Sequence, residues 1–441
     1  MRKSLFLVLA AVIIHLCQAK FNYKLPNGGE IKAVLVAGSN SYYNYRHQAD
    51  VCHAYQILKE NGIPDENIIV MMYDDIAFSD ENPEKGVVIN RPGGPNVYEG
   101  VKKDYTGKNV NKKVFFDVLL GNKSAVAGVG SGRVLESGPN DHLFVNFVDH
   151  GGPGILCLPS EDIKASELLG VLEKMAKQKR FEKMFFYIEA CDSGSMFDNL
   201  LSDDLNIFVM TAADPHESSY ACFYDEKLQT YLGDVFSVEW MQDAETEDLK
   251  QESVNHQFEK VRTETNTSHV EEYGDIDIGN TKLSEVIGYR SQPLARYQLD
   301  FTDAVPTHHV PVAILGRRIQ AAKNSEEKKK LQKELHDMLQ SRKEVNNFFL
   351  KLVQEAITPT NTNLLYQQTV LNRPSLTKKN LPCYENALTH LNNDCFNISD
   401  NPFVRSHLHK LINMCEAMSE DQVIRKIKSL CQGKAKPTGI V

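Results

Sequence analysis

The chain has 441 residues, 42% of them hydrophobic and 24% charged, with a formal net charge of −9 at pH 7. That length exceeds what one hydrophobic core serves, roughly 250 to 300 residues, so two domains are expected. The composition is that of an ordinary soluble globular protein, and the acidic balance argues against nucleic-acid binding.

Residues 1–19 read as a secretory signal: Arg2 and Lys3, an apolar run from Leu5 to Leu16, then Cys17-Gln18-Ala19 with small residues where a signal peptidase cuts. The run is too short to span a bilayer and no later segment is apolar for about 18 residues, so no membrane span is expected. Sequons at Asn122, Asn266 and Asn397 agree with the secretory route.

The body then alternates strand and helix, which predicts a mostly parallel sheet flanked by helices. Ile31 to Ala37 reads as a strand, Asp50 to Asn61 as a helix with Val51, Ala54, Tyr55 and Leu58 on one face, and Asn67 to Met72 as a second strand. The run beginning Asp141-His142-Leu143 is a third strand that ends in Asp149-His150-Gly151-Gly152. Ser166 to Gln178 follows as a helix. Met184 to Ile188 is a buried strand running into Glu189-Ala190-Cys191-Asp192-Ser193-Gly194. Ile207 to Thr211 is a further strand, and helices are expected near Asp234 to Met241 and Asn255 to Thr263. Residues 73–112 and 214–230 read as long connections of the kind that carry binding on a rigid sheet.

Two of these strand ends carry chemistry. If they are parallel neighbours, His150 and Cys191 share the carboxyl edge of the sheet, where ligands gather in open α/β folds. A thiol that must become thiolate and an imidazole that can protonate a leaving amine are the residue types of nucleophilic catalysis. Gly151 lets a backbone N–H approach a developing oxyanion without side-chain obstruction, so the amides of Gly151 and Cys191 make the natural oxyanion hole. This chemistry requires no metal or other cofactor.

The last third differs in character. A charged helix begins at Glu326 and runs toward Val353 with Leu331, Leu335 and Leu339 at helical spacing, and shorter helices are expected at Pro382–Leu391, Pro402–Met414 and Ser419–Cys431. Residues 321–441 hold 18 Lys+Arg and 12 Asp+Glu, a net of +6, so residues 1–320 carry −15 of the whole-chain −9. A basic helical tail beside an acidic body suggests an electrostatic lid. Four cysteines, Cys383, Cys395, Cys415 and Cys431, crowd into this tail, which in an oxidising compartment suggests two disulfides with three possible connectivities; no C-x-x-C spacing supports zinc instead. Cys52 reads as a buried core thiol and His53 as a solvated helix residue, while Cys157 and Cys222 could each be free or paired.

Val36-Ala37-Gly38-Ser39-Asn40, Tyr43 to Asp50, Asp149 to Gly152, Glu189-Ala190-Cys191 and Glu217 to Ala221 occur in one order over roughly residues 31–290, and together they resemble the legumain family of asparaginyl endopeptidases. The resemblance implies a caspase-like fold and cleavage after asparagine, or after aspartate in stronger acid. A primary carboxamide offers one acceptor and two donors, so its pocket needs a cation and a carboxylate. On the resemblance Arg46 is the cation and Glu189 and Asp234 are the carboxylates. Ser218 and Ser219 line the same pocket, His47 borders it, and Asn44 orients the imidazole of His150. Asp149 is accessory: relatives cyclise it to a succinimide associated with ligase behaviour, and its plain reading is a turn residue bonding its own backbone. The disulfides implied are Cys383–Cys415 and Cys395–Cys431.

The family pattern also implies a layout: a signal at 1–19, a catalytic domain at 20–320 with a short N-terminal pro-segment, an activation peptide or helical linker at 321–375, and a helical prodomain at 376–441. The expectation is a zymogen of the secretory pathway, destined for a lysosome, an acidic vesicle, the gut lumen or the extracellular space. Its partners would be proteins with accessible asparagines, its own prodomain as inhibitor, and cystatin-type inhibitors. Asn324 is the expected self-cleavage site, with Asn346, Asn347, Asn361 and Asn363 as alternatives. Three other readings stay open: a peptide ligase of the same fold, a noncatalytic secreted binder, and a lipid-anchor transamidase, which would call for a membrane span.

Overall fold

The computed structural model describes residues 23–356, 369–432 and 439; the expected signal at 1–19 and the alternative sites Asn361 and Asn363 lie outside these. In chain order the strands are β1 (Ile31–Ala37), β2 (Ile68–Met72), β3 (His142–Val148), β4 (Gly151–Gly152), β5 (Ile155–Leu158), β6 (Glu161–Lys164), β7 (Lys183–Glu189), β8 (Ile207–Thr211), β9 (Tyr220–Asp225), β10 (Thr230–Asp234), β11 (Glu271–Gly274) and β12 (Val305–Pro306). Six form the central sheet in the order β11-β8-β7-β3-β1-β2, with β11 antiparallel and the other neighbours parallel.

Near-continuous apolar strands are what a parallel sheet covered on both faces demands, and the two-residue period divides them. Ala33, Leu35, Phe144, Phe185 and Tyr187 face one layer, where the Tyr45–Glu60 and Val235–Thr246 helices pack with Tyr55 and Trp240. Val34, Val36, Val145, Phe147, Phe186 and Ile188 face the other, against the Lys112–Leu119 and Ala165–Lys177 helices. Trp240 meets Phe144 and Tyr187 edge-on at centroid distances of 5.8 and 5.6 Å. Each such side chain, wholly buried, stabilises the fold by about 1.5–3 kcal/mol, so the sheet is a rigid base for whatever its edge carries.

The C-terminal part begins with helices at Val310–Ala321 and Ser325–Ala356. The second buries Val345, Phe349, Leu352 and Val353, a stripe at helical spacing in its last turns. Its first half differs from expectation: Leu331 and Leu335 are only half-buried and Leu339 is exposed, and the contact this stretch makes with the body includes the Tyr43 hydroxyl donating to Glu334 at 3.1 Å. Short helices follow at Leu381–His390, His409–Ala417 and Glu420–Cys431. The disulfides Cys383–Cys415 and Cys395–Cys431 tie them together in the pairing the resemblance implied. Cys52, Cys157 and Cys222 are free and buried.

Other expectations shift. The first helix starts at Tyr45 and not Asp50, which puts Arg46 and His47 in its first turn. The stretch 214–230 is not all loop: β9 lies within it, pairs antiparallel with β10, and is short enough for flanking polar residues to mask. Residues 402–414 break into a tight turn at Pro402–His407 before the His409–Ala417 helix. The Val310–Ala321 helix and the small β4-β5-β6 sheet were not anticipated. Among the described residues no helix is long and apolar enough to cross a membrane.

Candidate active site

The in-register parallel pairing of β3 and β7 sets Val148 opposite Glu189. The Asp149 amide continues that ladder to the Glu189 carbonyl at 3.0 Å. One residue further, His150 and Cys191 leave the sheet side by side at its carboxyl edge, as the sequence predicted. The chain then turns sharply: Asp192 adopts a left-handed conformation (φ 51) and its N–H donates to Glu217 O at 2.7 Å. Gly151 passes so close to the Cys191 backbone that a Cβ there would lie 2.3 Å from the Cys191 carbonyl oxygen. Only glycine fits.

His150 Nε2 lies 2.8 Å from Asn44 Oδ1. The Asn44 amide nitrogen donates to Asn40 O at 2.8 Å, so its oxygen must face the ring. The imidazole therefore carries its proton on Nε2 and keeps Nδ1 free to act as a base. Cys191 Sγ is 3.2 Å from Ser218 Oγ and 3.8 Å from Ser219 Oγ. Burial pushes the Cys191 thiol up, with Asp192 adding to the shift. Burial likewise pushes His150 well down, with the charge of Arg46 and Arg405 adding. In this covered state the pair rests as neutral thiol and neutral imidazole.

Beneath the pair lies a wholly buried cluster. Arg46 Nε donates to Asp234 Oδ1 at 2.8 Å and Nη1 to Tyr43 O at 3.3 Å, while Nη2 is buried with no acceptor. Glu189 Oε2 accepts from the Ser237 amide and hydroxyl, both at 3.0 Å, and its buried Oε1 makes no hydrogen bond of ordinary length, the Ser219 hydroxyl being the further group that bears on the carboxyl. Burial raises the Glu189 and Asp234 carboxyls, Glu189 well above its ordinary value with Asp234 adding to the shift. His47 goes deeper than a border residue: Nδ1 is 2.7 Å from Ser39 Oγ and 3.4 Å from Asp149 Oδ1, Nε2 is 3.8 Å from Asp234 Oδ2, and its ring meets that of His150 edge-on at 4.9 Å. Asp149 is buried behind the histidines, against Gly38, where a Cβ would fall 2.4 Å from its Oδ2.

Asp50 belongs to this cluster and the sequence reading missed it. Burial and the neighbouring Asp234 and Glu189 push its carboxyl well up. The available signal was its place one helical turn after Arg46, an acid on an otherwise apolar face. His53, expected in solvent, is instead buried, with Nδ1 2.8 Å from Asn90 Oδ1 and Nε2 3.2 Å from Glu245 Oε1.

The cleft above Cys191 is walled on one side by Tyr43, Ser218 and His308 and on the other by Arg373, Phe403 and Arg405 from the C-terminal part. Arg405 is buried with Nη2 3.7 Å from Asp162 Oδ1. Arg373 Nη1 donates to His216 O at 2.9 Å and lies 3.8 Å from Asp192 Oδ1. The Ser166 amide and hydroxyl bond Glu385 at 3.0 and 2.6 Å, and Tyr384 donates its hydroxyl to Pro153 O. No motif marked these covering residues, because they lie some two hundred positions from what they touch.

The remaining predicted sites lie apart. Asn324 is exposed and caps the Ser325–Ala356 helix by accepting from the Glu327 amide at 2.8 Å, and Asn346 and Asn347 sit inside that helix. Asn122 and Asn266 are exposed, whereas Asn397 is half-buried beside a hollow between Lys112, Glu161 and Leu388.

Sequence comparison places the chain among known proteins. The model of the Peptidase C13 family matches residues 32–290. Legumain from Bos taurus is 45% identical over 92% of this chain and 94% of its own length. Legumain from Homo sapiens is 46% identical over 88% and 90%. The vacuolar-processing enzyme delta-isozyme of Arabidopsis thaliana is 42% identical over 82% of each. A matched segment that holds both His150 and Cys191, with identity sustained into the disulfide-bonded tail, leads to one conclusion: the chain belongs to the Peptidase C13 family of cysteine peptidases.

Proposed function

We propose that this asparaginyl cysteine endopeptidase works through Cys191 as nucleophile and His150 as acid and base, and is made as a zymogen closed by its own C-terminal helices. His150 Nδ1 takes the thiol proton, Cys191 Sγ attacks the backbone carbonyl carbon of an asparagine, and the amides of Gly151 and Cys191 receive the oxyanion. His150 then hands its proton to the leaving amine, and water releases the acyl group.

The observation that carries the specificity is the pair of unsatisfied buried atoms under the nucleophile, Arg46 Nη2 and Glu189 Oε1. An asparagine side chain would give its oxygen to the first and an N–H to the second, with Asp234 beside them. An apolar side chain would leave both unpaired, and sites built to hydrogen-bond their substrate reject such analogues by about 10⁴-fold.

Residues 20–320 serve as catalytic domain, 321–375 as activation segment and 376–441 as prodomain in this reading. The placement of Arg373, Phe403 and Arg405 over the cleft supports inhibition at neutral pH, and cystatin-type inhibitors would compete there once it opens. The working compartment is acidic, lysosomal or vesicular, reached by the secretory route, with Asn324 as the exposed asparagine cut on activation. The test is acid treatment of the full chain, mass spectrometry of the fragments, and hydrolysis of matched fluorogenic peptides ending in Asn or Ala. Cleavage after Asn only, with loss of the C-terminal fragment, is expected. Equal cleavage of both peptides would overturn the pocket assignment, and an inert chain would favour the noncatalytic binder.

A further inference from the structure

Ser218 has more neighbours than one hydroxyl can serve at once. Its Oγ lies 2.9 Å from Ser219 O, 3.2 Å from Cys191 Sγ and 3.2 Å from His308 Nδ1. It has one proton and two lone pairs. The Ser219 carbonyl can only accept, so with the Ser218 proton directed there, the Cys191 thiol and a His308 Nδ1–H both donate into the hydroxyl oxygen. Once the thiol ionises, Sγ becomes an acceptor and the Ser218 proton has reason to turn toward it. A donor fixed on the far side of Oγ holds the hydroxyl in reach of sulfur and makes it the stronger donor.

His308 is built into that place by the fold. β12 pairs with β9, Val305 opposite Ala221 and Pro306 opposite Tyr220, and the Thr307 amide donates to Ser219 O at 2.9 Å. The next residue, His308, is half-buried and lines the cleft. Its carbonyl accepts from Arg342 Nη2 at 2.8 Å, so the long helix steadies it in the uncut chain. The strand pairing lies on the body side of Asn324 and remains after a cut there.

We propose that His308 is a positioning residue for the nucleophile: its imidazole anchors the Ser218 hydroxyl, and that hydroxyl solvates the Cys191 thiolate. This rests on Cys191 being the nucleophile. The titratable and charged groups that bear on His308 are His309, whose ring centroid is 4.2 Å away, Arg342, Arg373, His407 and His150, all of them bases. Burial and these neighbours hold the imidazole down to about 4. It is neutral through most of the acid range and gains charge only in stronger acid.

The test is made on acid-activated enzyme, which has lost the Arg342 contact but keeps β12. Two assays are run across pH: the rate of alkylation of Cys191 by iodoacetamide, and hydrolysis of an Asn peptide, from which kcat and KM are taken. His308→Leu should slow alkylation and kcat by about tenfold, the worth of roughly one hydrogen bond to a charged group, with KM moving less than about twofold. His308→Gln, whose amide can donate to Ser218, should recover most of the loss. On a Ser218→Ala background, His308→Leu should change little, since its route to the sulfur is already gone. Wild-type alkylation in His308→Leu, a full additional loss on the Ser218→Ala background, or no recovery with Gln would each overturn the proposal. If His308→Leu fails to fold, the Gln variant and the Ser218→Ala pair decide alone. Hydrolysis surviving in Cys191→Ala would instead refute the assignment of the nucleophile, an outcome that the alkylation of the His308 variants cannot mimic.

Discussion

Substituting Glu239 tests whether buried carboxyls tune this fold for acid. Glu239 stands on the Val235–Thr246 helix, 4% exposed, facing Glu264 of the Val254–Glu264 helix, whose other partner is Arg296 Nη2 at 2.6 Å. Burial first and Glu264 second push the Glu239 carboxyl up to about 8 from an ordinary 4.5. The folded protein thus holds a proton that the unfolded chain releases, so stability is fully present below about 4.5 and is lost as pH rises toward about 8. Between about pH 4.5 and about pH 7.5 that loss amounts to roughly 3–4 kcal/mol for this single group. Glutamine mimics the protonated acid and does not titrate. Thermal unfolding of the full chain carrying Cys191→Ala, which cannot cut itself, should show a Tm that falls toward neutral pH, and adding Glu239→Gln should restore several degrees at about pH 7.5 while changing little at about pH 4.5. Parallel pH curves for the two proteins would refute the reasoning, because the proton would then not reside on Glu239.

Asn44→Ala should lower kcat by more than about tenfold with little change in KM, since it frees the imidazole whose tautomer it sets; an equal loss in KM would point to substrate contact instead. Arg46→Gln should remove the preference for Asn over Ala at the cleavage site and cost about 3–5 kcal/mol, because it strands Asp234 beside Glu189 and Asp50 without their cation; selectivity that survives would exclude Arg46 from the pocket. Arg405→Met should raise the activity of the uncut chain at neutral pH, since Asp162 and Asp149 lose the buried cation that bridges them to the C-terminal helices; a chain as silent as the wild type would show that other contacts hold the lid. Cys395→Ser with Cys431→Ser opens a link spanning 36 residues and should destabilise the C-terminal helices by about 3 kcal/mol, read as faster proteolysis of that part at neutral pH.

Much of the site was legible because its chemistry sits at strand ends. A continuous apolar run that stops at Asp149-His150-Gly151-Gly152 or at Glu189-Ala190-Cys191 announces both a buried parallel strand and what it delivers, and the in-register pairing of β3 with β7 then brings the two together. Local pattern also located most helices, since amphipathic spacing is a property of neighbours along the chain. It failed where a residue's environment comes from distant sequence. His53 looks like a solvated helix position until Asn90 and Glu245 are folded onto it, and Asp50 looks like a helix start until Arg46 draws the helix back to Tyr45 and β10 brings Asp234 alongside. His308 carries no motif at all and reaches Ser218 only because two residues, Val305 and Pro306, pair with β9.

The sequence by itself therefore pointed to Cys191 and His150 as the reactive pair, and it marked the parallel strands of the central sheet in chain order and the separation of an acidic body from a basic, cysteine-rich tail, but not the antiparallel edge strand β11. The tertiary structure alone decided which carboxyls are buried together, which thiols stay free and which arginines lie over His150 and Cys191. The physical reason is that periodicity and turn chemistry act between near neighbours, whereas desolvation and ion pairing depend on what the whole fold brings within a few ångströms.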